Sequence, residues 1–247
     1  MVELMMRRRA LMAALGGGIP PEPGDNGWEL AYSYTSNATW TAPWDGWFRI
    51  TSIGAGGAGA TGGAFYAVRR KVAGSGGGGG GSGGCSVSVL YCKAGDTLSI
   101  TYNGSAKAAG TIGGEAITVY ASAGGTGKPG DVGSYTTIPS GGNGGAAGGA
   151  NSGNKFNLPG NAGGKGADGY VATLDSGRYT PSTTPNGGTG GTSVASHNAA
   201  FAGKGAGGAG GRGGYRVDSY HWYDDPVSGS AGNPGGVFIE KEKGRTS

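Results

Sequence analysis

Seven stretches of the chain alternate apolar with small polar residues. Glu29-Leu30-Ala31-Tyr32-Ser33-Tyr34, Trp40-Thr41-Ala42-Pro43 and Trp47-Phe48-Arg49-Ile50-Thr51-Ser52-Ile53 come first. Cys85 to Tyr91, Thr97 to Tyr102 and Ala116 to Tyr120 follow, and Val237-Phe238-Ile239-Glu240 lies near the C-terminus. A period of two is the signature of a half-buried strand, one face on a core and one on solvent. The pattern predicts an all-β fold: a small antiparallel sandwich closed by the C-terminal strand.

Between the strands the alternation stops and glycine takes over, with 15 glycines in the 31 residues 54–84 and 30 in the 93 residues 122–214. Many recur every third residue, at Gly56, Gly59, Gly62; at Gly124, Gly127, Gly130, Gly133; at Gly142, Gly145, Gly148; at Gly160, Gly163, Gly166, Gly169; and at Gly205, Gly208, Gly211, Gly214. A polyproline-II-like chain has three residues per turn and no internal hydrogen bonds, so its N–H and C=O groups must pair with something else when buried. Chains without Cβ atoms can pack side by side and bond to one another, leaving every third side chain to point outward. The expectation is therefore a sandwich joined to polyglycine-II helices and long loops. Collagen is the rival period-three structure, but it needs abundant proline in unbroken repeats, and this chain has 11 prolines, few of them inside the glycine runs. A flexible linker is the plain alternative, and it fits the run Gly76–Gly81 best.

Composition narrows the picture further. Glycine accounts for 61 of 247 residues, which excludes extended helix, while only 14% of residues are charged and twelve tyrosines, five tryptophans and five phenylalanines are present, which argues against solvated disorder. The net charge of +4 gathers at Arg7-Arg8-Arg9, at Arg69-Arg70-Lys71 and near the C-terminus without a basic stripe, so nucleic acid is not implied. The apolar run after the first triplet, Ala10 to Leu15, is brief for a signal-peptide core and far short of a membrane span. An unprocessed protein made in the cytoplasm is expected, with a weak signal peptide as the alternative. Cys85 and Cys92 fall on opposite faces of one strand, too far apart to bridge, and read as two buried thiols.

Candidate chemistry is sparse. Gly54-Ala55-Gly56-Gly57-Ala58-Gly59 matches a dinucleotide fingerprint after a strand, yet no helix-forming segment follows and no acidic residue lies between Asp45 and Asp96 to hold a ribose. The Gly-Lys pairs at 127–128, 164–165 and 203–204 lack the Ser or Thr of a P-loop. With His197 and His221 as the two histidines, neither a catalytic triad nor a metal cluster is indicated, and nothing calls for a cofactor. An enzyme is not expected.

The informative residues are the inserts between glycine runs: Phe65 to Val72, Tyr135 to Pro139, Tyr170 to Pro185, Thr192 to Phe201 and Tyr215 to Val227. Tyrosine and tryptophan supply rigid contact area with a polar handle, and Asp, Arg and His orient hydroxylated ligands, a mixture suited to sugars or protein surfaces. Tyr135, Tyr179, Tyr215, Tyr220, His221, Trp222, Tyr223 and Asp224 are the candidate ligand-binding residues. Capping of the glycine helices by the same aromatics is the competing role.

The passage Ala38 to Pro43, then Gly46 to Gly57, followed by polyglycine, the Gly95-Asp96-Thr97-Leu98-Ser99-Ile100 turn and strand, and later glycine blocks, resembles the glycine-rich domains of bacteriophage tail-fibre and other virion proteins. Some adhesins of that type are built from packed polyglycine-II helices with receptor-binding inserts at the tip, and the strand-rich N-terminal half here departs from them. The resemblance implies an exposed, tail-associated virion protein. From its residues the chain divides into an attachment arm at 1–27, for which a disordered terminus is the alternative, a strand-rich sandwich with the first glycine block at 28–121, a glycine region with inserts at 122–234 and a closing strand and tail at 235–247; the resemblance would have the arm join other virion proteins and the inserts attach to a host-surface glycan or protein. Trimers are common among such fibres. The alternative is a purely structural spacer or decoration protein without receptor binding.

Overall fold

The computed structural model describes residues 19–65, 72–134, 137–171, 174–175, 178–179, 184–216 and 223–245. The chain forms the strands β1 (Trp28–Tyr34), β2 (Ala38–Thr41), β3 (Gly46–Ile53), β4 (Cys85–Cys92), β5 (Thr97–Tyr102), β6 (Ala106–Ile112), β7 (Glu115–Ala121), β8 (Ala150–Asn151), β9 (Phe156–Leu158), β10 (Leu174–Asp175), β11 (Arg178–Tyr179), β12 (Tyr215–Arg216), β13 (Tyr223–Asp224) and β14 (Gly236–Glu242). Two five-stranded antiparallel sheets result, ordered β1-β14-β3-β4-β9 and β2-β5-β6-β7-β8, with β14 inserted between β1 and β3. The expected all-β sandwich closed by the C-terminal strand is what the chain forms. Strand β6, Ala-Lys-Ala-Ala-Gly-Thr-Ile, escaped the alternation because its inward side chains before Ile112 are only as large as alanine, and β8 and β9 are too short to show a period.

The alternation along β3 explains the layering. Phe48 and Ile50 enter the core between the sheets, where they meet Trp40, Leu98, Ile100, Val119, Val237 and Ile239. Trp40 packs edge-on to Phe48 with ring centroids 4.9 Å apart, and the Ser52 hydroxyl donates across the sandwich to the Val119 carbonyl at 2.9 Å. The outer face of the first sheet carries a second cluster of Ile53, Cys85, Val87 and Phe238, covered by Ala195 and Phe201. Cys85 and Cys92 are both free and buried, on opposite faces as the strand period requires; burial pushes each thiol up to about 12.

The glycine-rich segments form a second body, held together by backbone hydrogen bonds of three-residue period. Segment 73–84 is buried along its whole length. Its amides donate in strict rotation to three neighbours: Gly78 to Lys128, Gly79 to Gly164, Gly80 to Gly208, then Gly81 to Gly125, Ser82 to Asn161 and Gly83 to Gly205. Its carbonyls accept from three others, with Gly57 and Ala60 donating to Gly81 and Gly78, Gly142 and Gly145 to Gly76 and Gly79, and Gly188 and Gly191 to Gly77 and Gly80. Six rim segments thus surround one central segment, donors alternating with acceptors. The rim segments also bond to each other, and segment 227–235 adds an outer row through Gly59 to Ser230 and Ser230 to Ala209.

Glycine is required here by space. A methyl group on Gly78, Gly79 or Gly80 would overlap the carbonyl oxygen of Asn143, Thr189 or Gly57 respectively, so three successive residues abut three different neighbours. On the rim the burial itself has period three: Gly142, Gly145 and Gly148 are buried while Asn143 and Ala146 are exposed. The run Gly76–Gly81, the best fit to a flexible linker by sequence, is the centre of the lattice. Two serines replace glycine inside it, and both are satisfied: Ser82 Oγ accepts from the Asn161 amide at 2.7 Å, and Ser75 Oγ accepts from the Asp131 amide at 2.7 Å while donating to the Ser140 carbonyl.

Candidate functional site

The strands of the sandwich run directly into the lattice: Ile53 continues as Gly54, Gly84 as Cys85, Ala121 as Ser122 and Gly235 as Gly236. One end of the lattice therefore abuts the sandwich and the other stands free.

Four inserts are rooted on that free end. Val72 bridges Val171, the Ala73 amide donates to Tyr170 at 2.8 Å, and the Gly133 amide donates to Ala64 at 3.1 Å. Gly169 donates to Pro139 at 2.8 Å, Gly214 to Gly63 at 2.8 Å and Gly62 to Val227 at 3.2 Å. Insertions 64–72, 134–139, 170–184 and 215–226 consequently leave and re-enter the lattice on neighbouring segments. The insert Thr192 to Phe201, expected from the sequence to belong with them, does not. It lies at the opposite end, where Ala195 and Phe201 seal the outer face of the first sheet. Its apolar residues match the uncovered Val87 and Phe238, a complementarity that only the folded sheet reveals.

Two short hairpins mark the free end. In one, β12 and β13 pair Tyr215 with Asp224 and Arg216 with Tyr223; in the other, β10 and β11 pair Leu174 with Tyr179 and Asp175 with Arg178. Arg212, the last side chain of the rim segment, fixes the first hairpin at its root. Its Nη2 donates to Asp224 Oδ2 at 2.9 Å and its guanidinium lies 4.9 Å from the Tyr215 ring centroid. Both partners are partly exposed, so the pair orients the hairpin more than it stabilises the fold. Nearby, Asp168 accepts from the Gly141 amide and from Lys165, each at 2.8 Å, and these bonds hold its carboxyl below the ordinary aspartate range.

Of the candidate ligand-binding residues, Tyr215, Tyr223 and Asp224 come together on one hairpin and Tyr179 stands on the other. Tyr135, Tyr220, His221 and Trp222 lie outside the described residues. The sequence did not single out Val132, Ile138 and Val227, which are exposed large apolar side chains at the insert roots, 60%, 51% and 43% accessible. Their signal was their position, each within a few residues of a glycine run's distal end. Among the described residues no three His, Cys, Asp or Glu side chains converge to hold a metal ion, and no helix is long and apolar enough to cross a membrane.

The end of the sandwich remote from the lattice carries the start of β1 and the end of β14. Trp28 pairs with Glu242 at the sandwich end remote from the lattice, and residues 19–27 fold back on the sandwich through Trp47 Nε1 donating to the Pro20 carbonyl at 2.8 Å and a Lys155–Glu22 ion pair at 2.5 Å. No protein-family model matches the chain, and a search of curated proteins finds no match.

Proposed function

We propose that this chain is an exposed, tail-associated phage virion protein that attaches to a host-cell surface through the inserts at the free end of its glycine lattice. The observation that carries the reading is that four inserts are rooted on that end, opposite residues 19–27 and the start of β1. Together they contain seven of the twelve tyrosines in about one-sixth of the sequence. Tyrosine-rich loops on a rigid support give large contact area at low entropic cost, and exposed Val132, Ile138 and Val227 add apolar surface beside them. The polarity suits a protein held through residues 1–27 by other virion proteins and presenting its far end to a glycan or protein receptor. The lattice is then a stiff support, with every third position free to vary, and no catalytic step is required of it.

The test is adsorption. Replacing Tyr220, Trp222 and Tyr223 together by alanine should lower binding of the purified protein to host cells by roughly tenfold or more, the loss expected when aromatic anchors are truncated. Its melting temperature should stay within about 2 °C. Unchanged adsorption would instead favour the spacer role, for which the dense backbone bonding of the lattice is the supporting feature; a large loss of stability would assign those aromatics to capping.

A further inference from the structure

The insert that seals the first sheet meets a buried polar cluster on strands β3 and β14. Arg49 on β3 and Glu240 on β14 stand opposite each other in register and form a buried two-pronged pair, Nε to Oε2 and Nη2 to Oε1, both at 2.6 Å. Asn198 donates to the same Oε1 at 2.5 Å while its Oδ1 caps the following turn, Ala199–Phe201, through the Ala200 amide at 2.9 Å. His197, one residue earlier, is wedged between Phe156 and Phe201 with both ring centroids at 5.2 Å, and its Nε2 lies 3.3 Å from Thr51 Oγ1. Its Nδ1 is buried without a hydrogen-bond partner.

We infer that residues 193–201 are an acid-released cover, detached from the first sheet when His197 takes up a proton and exposing the Cys85–Val87–Phe238 face beneath it. Imidazolium needs two acceptors, and Nδ1 faces none. Arg49 contributes a positive charge from β3; Glu240 opposes it from β14, but both of its oxygens are already engaged by Arg49 and Asn198. Lys155, beside Phe156, and Lys204, 5.7 Å over the Phe238 ring, are both cations, and the Glu22 carboxylate is paired with Lys155, so none of the three offsets a positive charge on His197. Thr51, Phe156 and Phe201 complete the surroundings and carry no charge. Burial above all, then Arg49, holds His197 below its ordinary 6.5, with Glu240 pulling the other way. A proton therefore binds more tightly to the released histidine than to the covered one. The covered state is favoured above pH 6.5 and is lost progressively as the pH falls through the lower value of the covered histidine.

The two free thiols report the event. Cys85 lies under the cover, whereas Cys92 belongs to the core between the sheets. The full chain is treated with 4,4′-dithiodipyridine, which reacts with thiols in acid, at pH 7.5 and pH 4.5, and each cysteine's modification rate is read by mass spectrometry. The expected result is a rise of tenfold or more at Cys85 over Cys92 on acidification, abolished in His197→Gln. An equal rise at both cysteines, no rise at Cys85, or the same rise in His197→Gln would overturn the inference. Should that variant not fold, the ring resonances of the unaltered protein decide: His197 titrating at or above 6.5, assigned against His221→Gln, would also overturn it.

Discussion

The sandwich and the glycine lattice solve the same problem by opposite means. In the sandwich, sheets satisfy the backbone and leave side chains such as Phe48, Ile50 and Trp40 to exclude water between them. In the lattice the backbone is itself the core: segment 73–84 is as buried as any core strand, yet apart from the hydroxyls of Ser75 and Ser82 it meets its six neighbours through carbonyls and amides. The sandwich tolerates variation in what fills a given volume, since hydrophobic residues of similar size can repack. The lattice tolerates none at its centre, because no smaller residue than glycine exists and the adjoining backbone has no rotamer to change.

That contrast can be broken most directly at the central segment. Gly79→Ala puts a methyl group on the Thr189 carbonyl and forces segments 73–84 and 185–193 apart, at the expense of the Gly188 and Gly191 bonds to Gly77 and Gly80. Overpacking together with lost hydrogen bonds should reduce stability by about 3 kcal/mol or more, read as a shift in the urea midpoint. Adding one carbon here should cost as much as removing most of a core side chain from the sandwich. A Gly79→Ala protein with an unchanged midpoint would mean that the segments can slide apart freely, which would remove the argument for a rigid support at the free end.

A smaller effect is expected where a side chain takes part in the lattice. Ser82 stands in the central segment and its hydroxyl receives the Asn161 amide. Ser82→Ala keeps the Cβ and removes the acceptor, leaving the Asn161 amide without its partner. The loss should be about 1 kcal/mol, the net contribution of one hydrogen bond to an amide at the lattice margin, and the Asn161 amide should exchange faster with deuterium than in the unaltered protein. If stability is unchanged, water enters the lattice at that point and its centre is less dry than the bonding suggests.

How far these features could be read in advance differs between the two bodies. The strands with clean alternation, β3, β4, β5 and β14, were visible because side chains alternate between a core and another face. β6 was not, because Ala106 and Ala108, buried on its inner face, carry too little side chain to show the alternation. In the lattice the period of three was legible, but the position of each run was not: Gly76–Gly81 has no side chain to mark inside from outside, and only its neighbours' carbonyls define it as the centre. The same limit applied to the inserts. Composition grouped Thr192–Phe201 with the other four, whereas the ladder of bonds from Gly205 to Gly214 shows that it leaves the lattice at the sandwich end. For Tyr215, Tyr223 and Asp224 the residue types were informative and the hairpin that joins them was not, since a two-residue strand has no period.

The smallest effect should come from the lattice rim, where the rule against side chains lapses. Gly149 lies at the exposed margin beside β8, and an added Cβ would find Ser122 Oγ at 3.5 Å, an ordinary van der Waals distance, and no other neighbour within 4 Å. Its φ is not in the left-handed region among the described glycines, so alanine can adopt the same backbone. Alanine also has fewer unfolded conformations to lose. Gly149→Ala should accordingly raise stability slightly, by about 0.5 kcal/mol, with the same urea measurement as the check. The sign is what matters: one substitution, Gly to Ala, should destabilise strongly at position 79 and stabilise weakly at 149. If both destabilise alike, glycine is needed throughout for its backbone freedom, and contact between segments is not what excludes side chains from the centre.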